Sequence, residues 1–177
     1  YNYGLDTHFY GPESMTKTLG NPKVKYGMLT ESRIIMPNDY EIFHKHKGLE
    51  KEFRYIFTYD EQILQENENA RFYPVAAGIW NHDIKEGLYQ QKDRDLSILS
   101  SDKVMCDLHR FRLELARMCK REALADTYGR FDGGEYVKSV DETLNSYRFA
   151  LIIENDISDY YFSERLTSCF AAQTIPV

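Results

Sequence analysis

Apolar and polar positions along the chain alternate between the spacing of strands and the spacing of helices. Short apolar runs predict seven strands, at residues 23–29, 54–58, 72–76, 96–100, 125–128, 149–153 and 174–177. Three-residue and four-residue spacing predicts helices between them, at residues 39–52, 61–67, 103–121, 140–145 and 161–172. This alternation is typical of parallel sheets covered by helices, so we expect an α/β fold.

The best helical pattern lies at residues 103–121. Its apolar stripe is predicted to face the core and consists of Val104, Leu108, Phe111, Leu115 and Met118. Arg110 and Arg112 fall off this stripe, so the pattern places both on a solvated face.

The end of the chain reads as strand, loop, helix and strand, a unit that builds parallel sheets. The apolar run at 149–153 predicts a central strand, flanked by the strands at 125–128 and 174–177. Polar Glu154 and Asn155 follow this strand directly. Because open α/β sheets bind ligands at the carboxyl ends of their strands, we expect a binding site there.

The helix that follows opens with Ser163, Glu164 and Arg165. A cation in the first turn opposes the positive end of the helix dipole, and a bound anion would remove this conflict. Free N–H groups at a helix start and a guanidinium both suit a phosphate. The alternative is that Arg165 pairs with Glu164, Asp159 or solvent.

A polar segment at residues 82–95 separates the two halves of the chain and reads as an interdomain linker. We therefore predict two domains, 1–88 and 89–177.

The run YRFALIIENDISDYYFSERLTSCFAAQTIPV resembles the C-terminal signature of glycosyltransferase family ten, the alpha-1,3 fucosyltransferases. Members of that family read roughly Y-K-F-x-L-x-F-E-N, then Y-x-T-E-K-L, then A-G-T-V-P-V. Upstream segments resemble other family motifs in the same order: 29–32 the N-F-E-S segment, 57–60 its following strand, Ser100 and Ser101 the S-N turn, and 126–130 (DTYGR) the V-D-V-Y-G-R strand. The resemblance covers about residues 26–177.

This resemblance implies the GT-B architecture, with two Rossmann-like domains that contain parallel sheets. Residues 1–88 would be the end of the acceptor-side domain, and 89–177 most of the donor-binding domain. The family continues past its Pro-Val strand into a donor loop, so we expect both domains to be incomplete and the chain to be a fragment of a longer enzyme. Three positions depart from the family pattern, because Arg165 replaces Lys, Ser163 replaces Thr and Gln173 replaces Gly. These departures affect the expected identity of the donor and not the expected class of reaction.

Glu31 is the candidate catalytic base, because the family carries its proposed base in the segment that 29–32 resembles. It follows an apolar strand and would deprotonate the acceptor hydroxyl. A solvated loop carboxylate is the alternative.

The resemblance also implies a set of donor-binding residues: Arg110, Arg130, Glu154, Asn155, Tyr161, Ser163, Glu164 and Arg165. In this reading Glu164 binds the ribose hydroxyls, Tyr161 contacts the donor and Arg165 meets the diphosphate. Arg112 could take the diphosphate role of Arg110, because the local alignment is ambiguous. Glu154 could instead cap a backbone N–H group.

Composition narrows the class of protein. The chain is 42% hydrophobic and 28% charged, with a net charge of −6, which argues against a nucleic-acid partner. No apolar window approaches the roughly 18 to 20 residues needed to span a bilayer, so membrane association would come from segments outside this chain. Three widely spaced cysteines favour reduced thiols, and reduced thiols favour a cytoplasmic, bacterial-type enzyme. Two alternatives are association of this enzyme with a membrane and, for a eukaryotic enzyme, location in the Golgi lumen.

No metal or other cofactor is expected. Asp93-Arg94-Asp95 has the D-x-D form that binds divalent metals in another glycosyltransferase fold, but its place in the linker favours solvated charge.

We therefore expect an inverting glycosyltransferase that moves fucose from GDP-fucose onto a hydroxyl of an oligosaccharide or glycoconjugate. The alternatives are an exostosin-like or other GT-B transferase with a different nucleotide sugar, or an inactive module that binds a nucleotide sugar or a glycan.

Overall fold

The computed structural model describes residues 5–17, 19–74, 78–84 and 91–177. The chain forms two compact units, Tyr1–Val75 with Ser158–Tyr161, and Ala76–Ile157 with Phe162–Val177. Each unit contains a four-stranded sheet in which every described pairing is parallel. The predicted α/β class is confirmed, and the two sheets are compatible with Rossmann-like folds. The predicted boundary between residues 88 and 89 lies outside the described residues.

The first unit has strands in chain order across its sheet, β1-β2-β3-β4. Its strands are β1 (Thr7–Tyr10), β2 (Val24–Leu29), β3 (Tyr55–Thr58) and β4 (Ala70–Phe72). Its helices are α1 (Pro12–Met15), α2 (Pro37–Tyr40), α3 (Ile42–Lys45) and α4 (Glu61–Glu66), with a 3₁₀ turn at Leu49–Glu52. The helix predicted at 39–52 is thus broken into short pieces, and Gly48 in the break has a left-handed φ of 92°.

Sequential parallel strands with right-handed crossovers place their helices on one face of a sheet. The covered face holds the buried core of the unit, which includes Tyr10, Leu29 and Ile56. On alternate positions of the strands, half-buried or exposed aromatic rings stand in a row, with centroids 5.0 Å apart for Phe9 and Tyr26 and 6.1 Å apart for Tyr26 and Tyr55.

The second unit has the strand order β6-β5-β7-β8. Its strands are β5 (Arg94–Leu99), β6 (Asp126–Tyr128), β7 (Tyr147–Leu151) and β8 (Ile175–Pro176). Its helices are α5 (Asp107–Glu122), α6 (Asp141–Leu144) and α7 (Glu164–Ala171). Two separate apolar clusters cover the sheet, one built with α5 and the other with α6 and α7. This unit is therefore wound in both directions from β5. Across the residues that the structure describes, no helix is long and apolar enough to cross a membrane.

The predicted neighbours of the central strand were half right. β7 pairs with β8 as expected, but its other neighbour is β5 and not the strand at 125–128. The reason is that the chain crosses over β5 after β6, so β5 and β7 become the two inner strands.

The predicted core stripe of the helix at 103–121 was wrong. Phe111 and Met118 are exposed, whereas the buried positions of α5 are His109, Arg112, Leu113, Ala116 and Cys119. The buried face is rotated by about one residue, and it includes two polar side chains where the helix approaches the end of β7.

The helix α7 ends in a turn whose backbone conformation favours glycine, and Gln173 occupies it. Gln173 has a left-handed φ of 55°, and the N–H of Thr174 donates to the Cys169 carbonyl at 2.8 Å. This is the Schellman geometry in which glycine is the usual residue. Gln173 therefore occupies a conformation that a glycine adopts without strain.

Candidate functional site

The candidate site lies at the carboxyl ends of β5 and β6 in the second unit. A cavity of about 790 Å³ opens there, a size in the usual range for small-molecule sites. It is lined by Ile79, Trp80, His82, Leu99, Ser100, Ser101, Asp102, Lys103, Gly129, Arg130, Tyr136, Val137, Lys138, Ser139, Val140 and Arg165. In doubly wound sheets, ligands bind next to the point where the winding direction reverses, which here is between β5 and β7.

Most of the charged residues that line this cavity are basic. The described lining residues include four lysines or arginines, Lys103, Arg130, Lys138 and Arg165, and one carboxylate, Asp102. An anionic ligand such as a phosphate would be attracted to such a surface.

The two loops that carry Ser100 and Arg130 are held together by backbone hydrogen bonds. The Ser100 N–H donates to the Tyr128 carbonyl at 2.9 Å, and the Asp102 N–H donates to the Arg130 carbonyl at 2.7 Å. Gly129 makes this approach possible, because its φ is 100° and a Cβ there would lie 2.0 Å from the Ser100 carbonyl oxygen. The Gly-Arg pair of the DTYGR segment thus fixes the place of Arg130.

The helix α7 begins at Glu164 and has Ser163 as its N-cap residue. The Ser163 hydroxyl accepts a hydrogen bond from the Arg165 N–H at 3.3 Å, and Glu164 lies in the first turn. The Ser163 N–H in turn donates to Glu154 Oε1 at 2.9 Å. This contact is the one that the capping alternative for Glu154 requires, and it ties the end of β7 to the start of α7.

Arg165 lies beside the single tryptophan of the chain. Its guanidinium carbon is 5.4 Å from the centre of the Trp80 ring, within the range of a cation–π contact. The backbone N–H of Trp80 donates to the hydroxyl of buried Ser168 at 2.9 Å. The Thr167 hydroxyl donates to the Gly78 carbonyl at 2.6 Å.

Asp141 anchors the next part of the same segment. Its carboxylate accepts hydrogen bonds from the Asn81 side chain at 3.0 Å and from the backbone N–H groups of His82 and Asp83 at 2.8 and 3.1 Å. Burial raises the pKa of Asp141, but these hydrogen bonds and one from Ser139 outweigh it and lower the pKa below its usual value. Asp141 is therefore ionised at neutral pH.

Asn155 belongs to a hydrogen-bonded network at the end of β7. Its Oδ1 lies 2.7 Å from His109 Nε2. His109 Nδ1 accepts the Met105 N–H at 3.2 Å, so the ring is the tautomer protonated at Nε2 and donates to Asn155. Burial lowers the pKa of His109, more than its bond to Asn155 raises it, which keeps the ring neutral at pH 7. The Cys106 thiol donates to the Asn155 carbonyl at 3.4 Å.

The two candidate arginines of α5 lie in different environments. Arg112 is 3% exposed and donates to the Ile153 carbonyl at 2.9 Å, so the solvated face expected for it was wrong. Arg110 is exposed and pairs with Asp107 at 2.9 Å. Arg110 is outside the lining of the 790 Å³ cavity.

Glu31 and Tyr161 lie together in the first unit. The exposed Glu31 side chain accepts a hydrogen bond from the Ser32 N–H at 2.7 Å, and the Tyr161 hydroxyl lies 3.4 Å from the same oxygen. The Glu31 carbonyl accepts hydrogen bonds from the hydroxyls of Tyr40 and Tyr59. Glu31 therefore stands just beyond the carboxyl end of β2 with its backbone held in place.

A half-buried ion pair fixes the loop that follows Glu31. The Arg33 guanidinium donates hydrogen bonds to both carboxylate oxygens of Asp60, at 2.7 and 2.8 Å. The Asp60 carboxylate also caps α4, because it accepts a hydrogen bond from the Ile63 N–H at 3.0 Å. Burial raises the pKa of Asp60, but the hydrogen bonds from Arg33 and Ile63 outweigh it and lower the pKa.

Of the predicted donor-binding residues, the structure brings Arg130 and Arg165 to one cavity, with Ser163 and Glu164 at the start of the same helix as Arg165. Sequence reasoning missed Trp80, Lys103 and Lys138, although a lone tryptophan in a polar segment was a usable signal. Asp95 of the D-x-D triplet pairs with Arg148 at 2.6 Å. The residues that the structure describes contain no grouping of three or more His, Cys, Asp or Glu side chains suited to a metal ion.

Comparison of the chain with models of protein families and with curated proteins gives no match.

Proposed function

We propose that this chain is part of an inverting GT-B glycosyltransferase that moves a sugar, fucose from GDP-fucose, onto a glycan hydroxyl. The observation that carries the proposal is the cationic cavity at the carboxyl ends of β5 and β6, which Arg130 and Arg165 both line. These two arginines are residues that the resemblance to family ten assigns to the nucleotide. The GT-B arrangement and the donor are parts of the proposal.

The proposed reaction needs a base for the acceptor hydroxyl and groups that stabilise the negative charge of the departing diphosphate. The acceptor hydroxyl loses its proton to the Glu31 carboxylate and its oxygen bonds to the anomeric carbon, while the bond from that carbon to the diphosphate oxygen breaks and GDP leaves. Arg165, Arg130 and the first N–H groups of α7 would stabilise the departing diphosphate. In this scheme the protein's own cations fill the role that a metal has in other transferases.

The diphosphate assignment predicts a large effect of Arg165. Arg165→Ala should weaken GDP binding by about 1.5 to 3 kcal/mol, roughly 10-fold to 150-fold, because a charge-assisted contact is lost. Arg165→Lys should recover most of this loss. Isothermal titration of GDP measures both, and Arg110→Ala is the matched control, since Arg110 is exposed and outside the cavity lining. Equal GDP affinity in Arg165→Ala and the unchanged protein would end the assignment.

A panel of nucleotides separates the proposed donor from its alternatives. GDP binding with tighter affinity than UDP, ADP or CDP supports a GDP-sugar donor. Preference for another nucleotide would instead favour a different GT-B transferase. GDP binding without any release of GDP from GDP-fucose in the presence of mixed oligosaccharides would favour a binding module.

The base assignment predicts a change in rate and not in affinity. Glu31→Gln should lower turnover by about a hundredfold or more, because general-base catalysis acts in the transition state, whereas GDP affinity should barely change. Turnover is measured as GDP release in the same acceptor mixture. Glu68→Gln, at an exposed carboxylate of the same unit, is the comparison. Normal turnover in Glu31→Gln would contradict the assignment.

A further inference from the structure

Trp80 has no role in the proposed reaction, although it lines the candidate site. It is the single tryptophan of the chain, its side chain is 42% exposed, and it lines the 790 Å³ cavity. An aromatic ring with this much exposure in a short polar segment is not explained by core packing.

The segment that carries Trp80 is fixed to the second unit at both ends. Gly78 and Trp80 are hydrogen-bonded to Thr167 and Ser168 of α7, at 2.6 and 2.9 Å. The Asp141 carboxylate holds the residues just after Trp80, because it accepts hydrogen bonds from the Asn81 side chain and from the backbone N–H groups of His82 and Asp83. The ring is therefore presented at a defined place above α7, the helix that also carries Arg165.

Contact with this ring restricts Arg165. An arginine side chain at a protein surface has many rotamers, and ordering it for a ligand costs entropy. A guanidinium 5.4 Å from an indole centre is attracted to the ring and already occupies a narrower set of positions. Both side chains line the same cavity, so a ligand there would meet the guanidinium in this narrower set of positions.

We propose that Trp80 is a positioning residue that holds the Arg165 guanidinium ready for a diphosphate. Its ligand class is the diphosphate group of a nucleotide, and the inference rests on the proposed function to this extent. Trp80 acts through Arg165 and not through the base, so it should affect GDP and inorganic pyrophosphate by the same factor.

Isothermal titration of both probes into the full chain tests this inference. Trp80→Ala should weaken GDP and pyrophosphate equally, by about 3-fold to 30-fold, the scale of a cation–π contact at a partly desolvated site. Trp80→Phe should recover most of the loss, because a ring remains. The double variant Trp80→Ala with Arg165→Ala should bind no more weakly than Arg165→Ala alone. Phe170→Ala is the control, since Phe170 is an exposed aromatic residue of the same helix, α7, and is outside the lining of the cavity.

Several results would overturn the inference. Loss of GDP affinity with unchanged pyrophosphate affinity would mean that Trp80 contacts the base, and additive losses in the double variant would mean that it does not act through Arg165. Thermal unfolding of each variant shows whether the fold is kept, and Trp80→Phe provides the answer if Trp80→Ala does not fold. If pyrophosphate binds and GDP shows no preference over other nucleotides, the proposed donor fails while the role of Trp80 is still tested.

Discussion

Replacing Gly129 by alanine is expected to destabilise the second unit by about 3 kcal/mol or more. Two costs combine at this position. An alanine at a φ of 100° is strained, and its Cβ would lie 2.0 Å from the backbone oxygen of Ser100, so the loops after β5 and β6 must move apart. Thermal unfolding followed by the fluorescence of Trp80, which belongs to the same unit, measures the loss.

Gly133 provides a matched control for Gly129. It also has a left-handed φ, 78°, but a Cβ there would meet nothing within 4 Å. Gly133→Ala should therefore show only the strain of the backbone conformation, about 1 to 2 kcal/mol. If the two alanine variants lose equal stability, the close approach to Ser100 contributes nothing and the argument for Gly129 is wrong. If they differ as expected, Gly129→Ala should also weaken GDP binding, because Arg130 is displaced.

Replacing Lys92 by methionine is expected to cost about 3 kcal/mol. The side chain of Lys92 is nearly fully buried, and its ammonium donates to the carbonyls of Leu144, Asn145 and Ala172 at 3.3, 2.8 and 2.6 Å. The Thr174 hydroxyl lies 3.2 Å away. Methionine fills the same space but leaves the Asn145 and Ala172 carbonyls without this donor, and each unsatisfied buried acceptor costs roughly 1 to 3 kcal/mol. The Leu144 carbonyl keeps the Thr174 hydroxyl at 2.8 Å. Relief from burying a charge offsets part of this cost.

The stability difference between the unchanged protein and Lys92→Met should depend on pH. Burial lowers the pKa of Lys92 in the folded state below its ordinary value near 10.4. Between the folded and the unfolded pKa, the unfolded chain binds more protons, so raising the pH stabilises the protein with lysine. The difference should be constant at neutral pH and should grow as pH rises toward about 10.4. A difference that shrinks over this window would contradict the lowered pKa, and the same titration of Lys47→Met, at an exposed lysine, is the control.

Local signals in the sequence were sufficient for most of the strands and helices. The helix predicted at 161–172 is present as α7, Glu164–Ala171, because the spacing of its apolar residues is a local signal. The strand β1 was missed, since Thr7–Tyr10 is short and shows no long apolar run. The neighbour of β7 was predicted wrongly because strand order depends on the direction of crossovers, which apolar spacing does not record.

The stripe of α5 failed for a different reason. Periodicity assigns large apolar residues to the core, but Phe111 is 54% exposed while Arg112 is 3% exposed. A buried arginine is stable here because the Ile153 carbonyl and Asn155 accept its hydrogen bonds, and those acceptors lie more than 40 positions away in the chain. Spacing within the helix contains no information about them.

The residues of the candidate site also differ in whether local sequence signals could predict them. Arg130 and Arg165 were predicted because they follow a strand and open a helix, positions that meet at one edge of a parallel sheet. Trp80 is held at this edge by contacts distant in sequence, such as its hydrogen bond to Ser168, 88 positions away, and apolar spacing does not record them.

The contacts of Lys92 also lead to an expectation about folding kinetics. Its ammonium is satisfied only after α6, α7 and Thr174 have all reached their places, and the central pairing of Arg94 with Tyr147 must close a long loop first. We expect a contact completed so late to be absent from the transition state for folding. Its loss should then leave the refolding rate nearly unchanged and shorten the lifetime of the native state. The buried lysine would thus slow the unfolding of the second unit and not speed its folding.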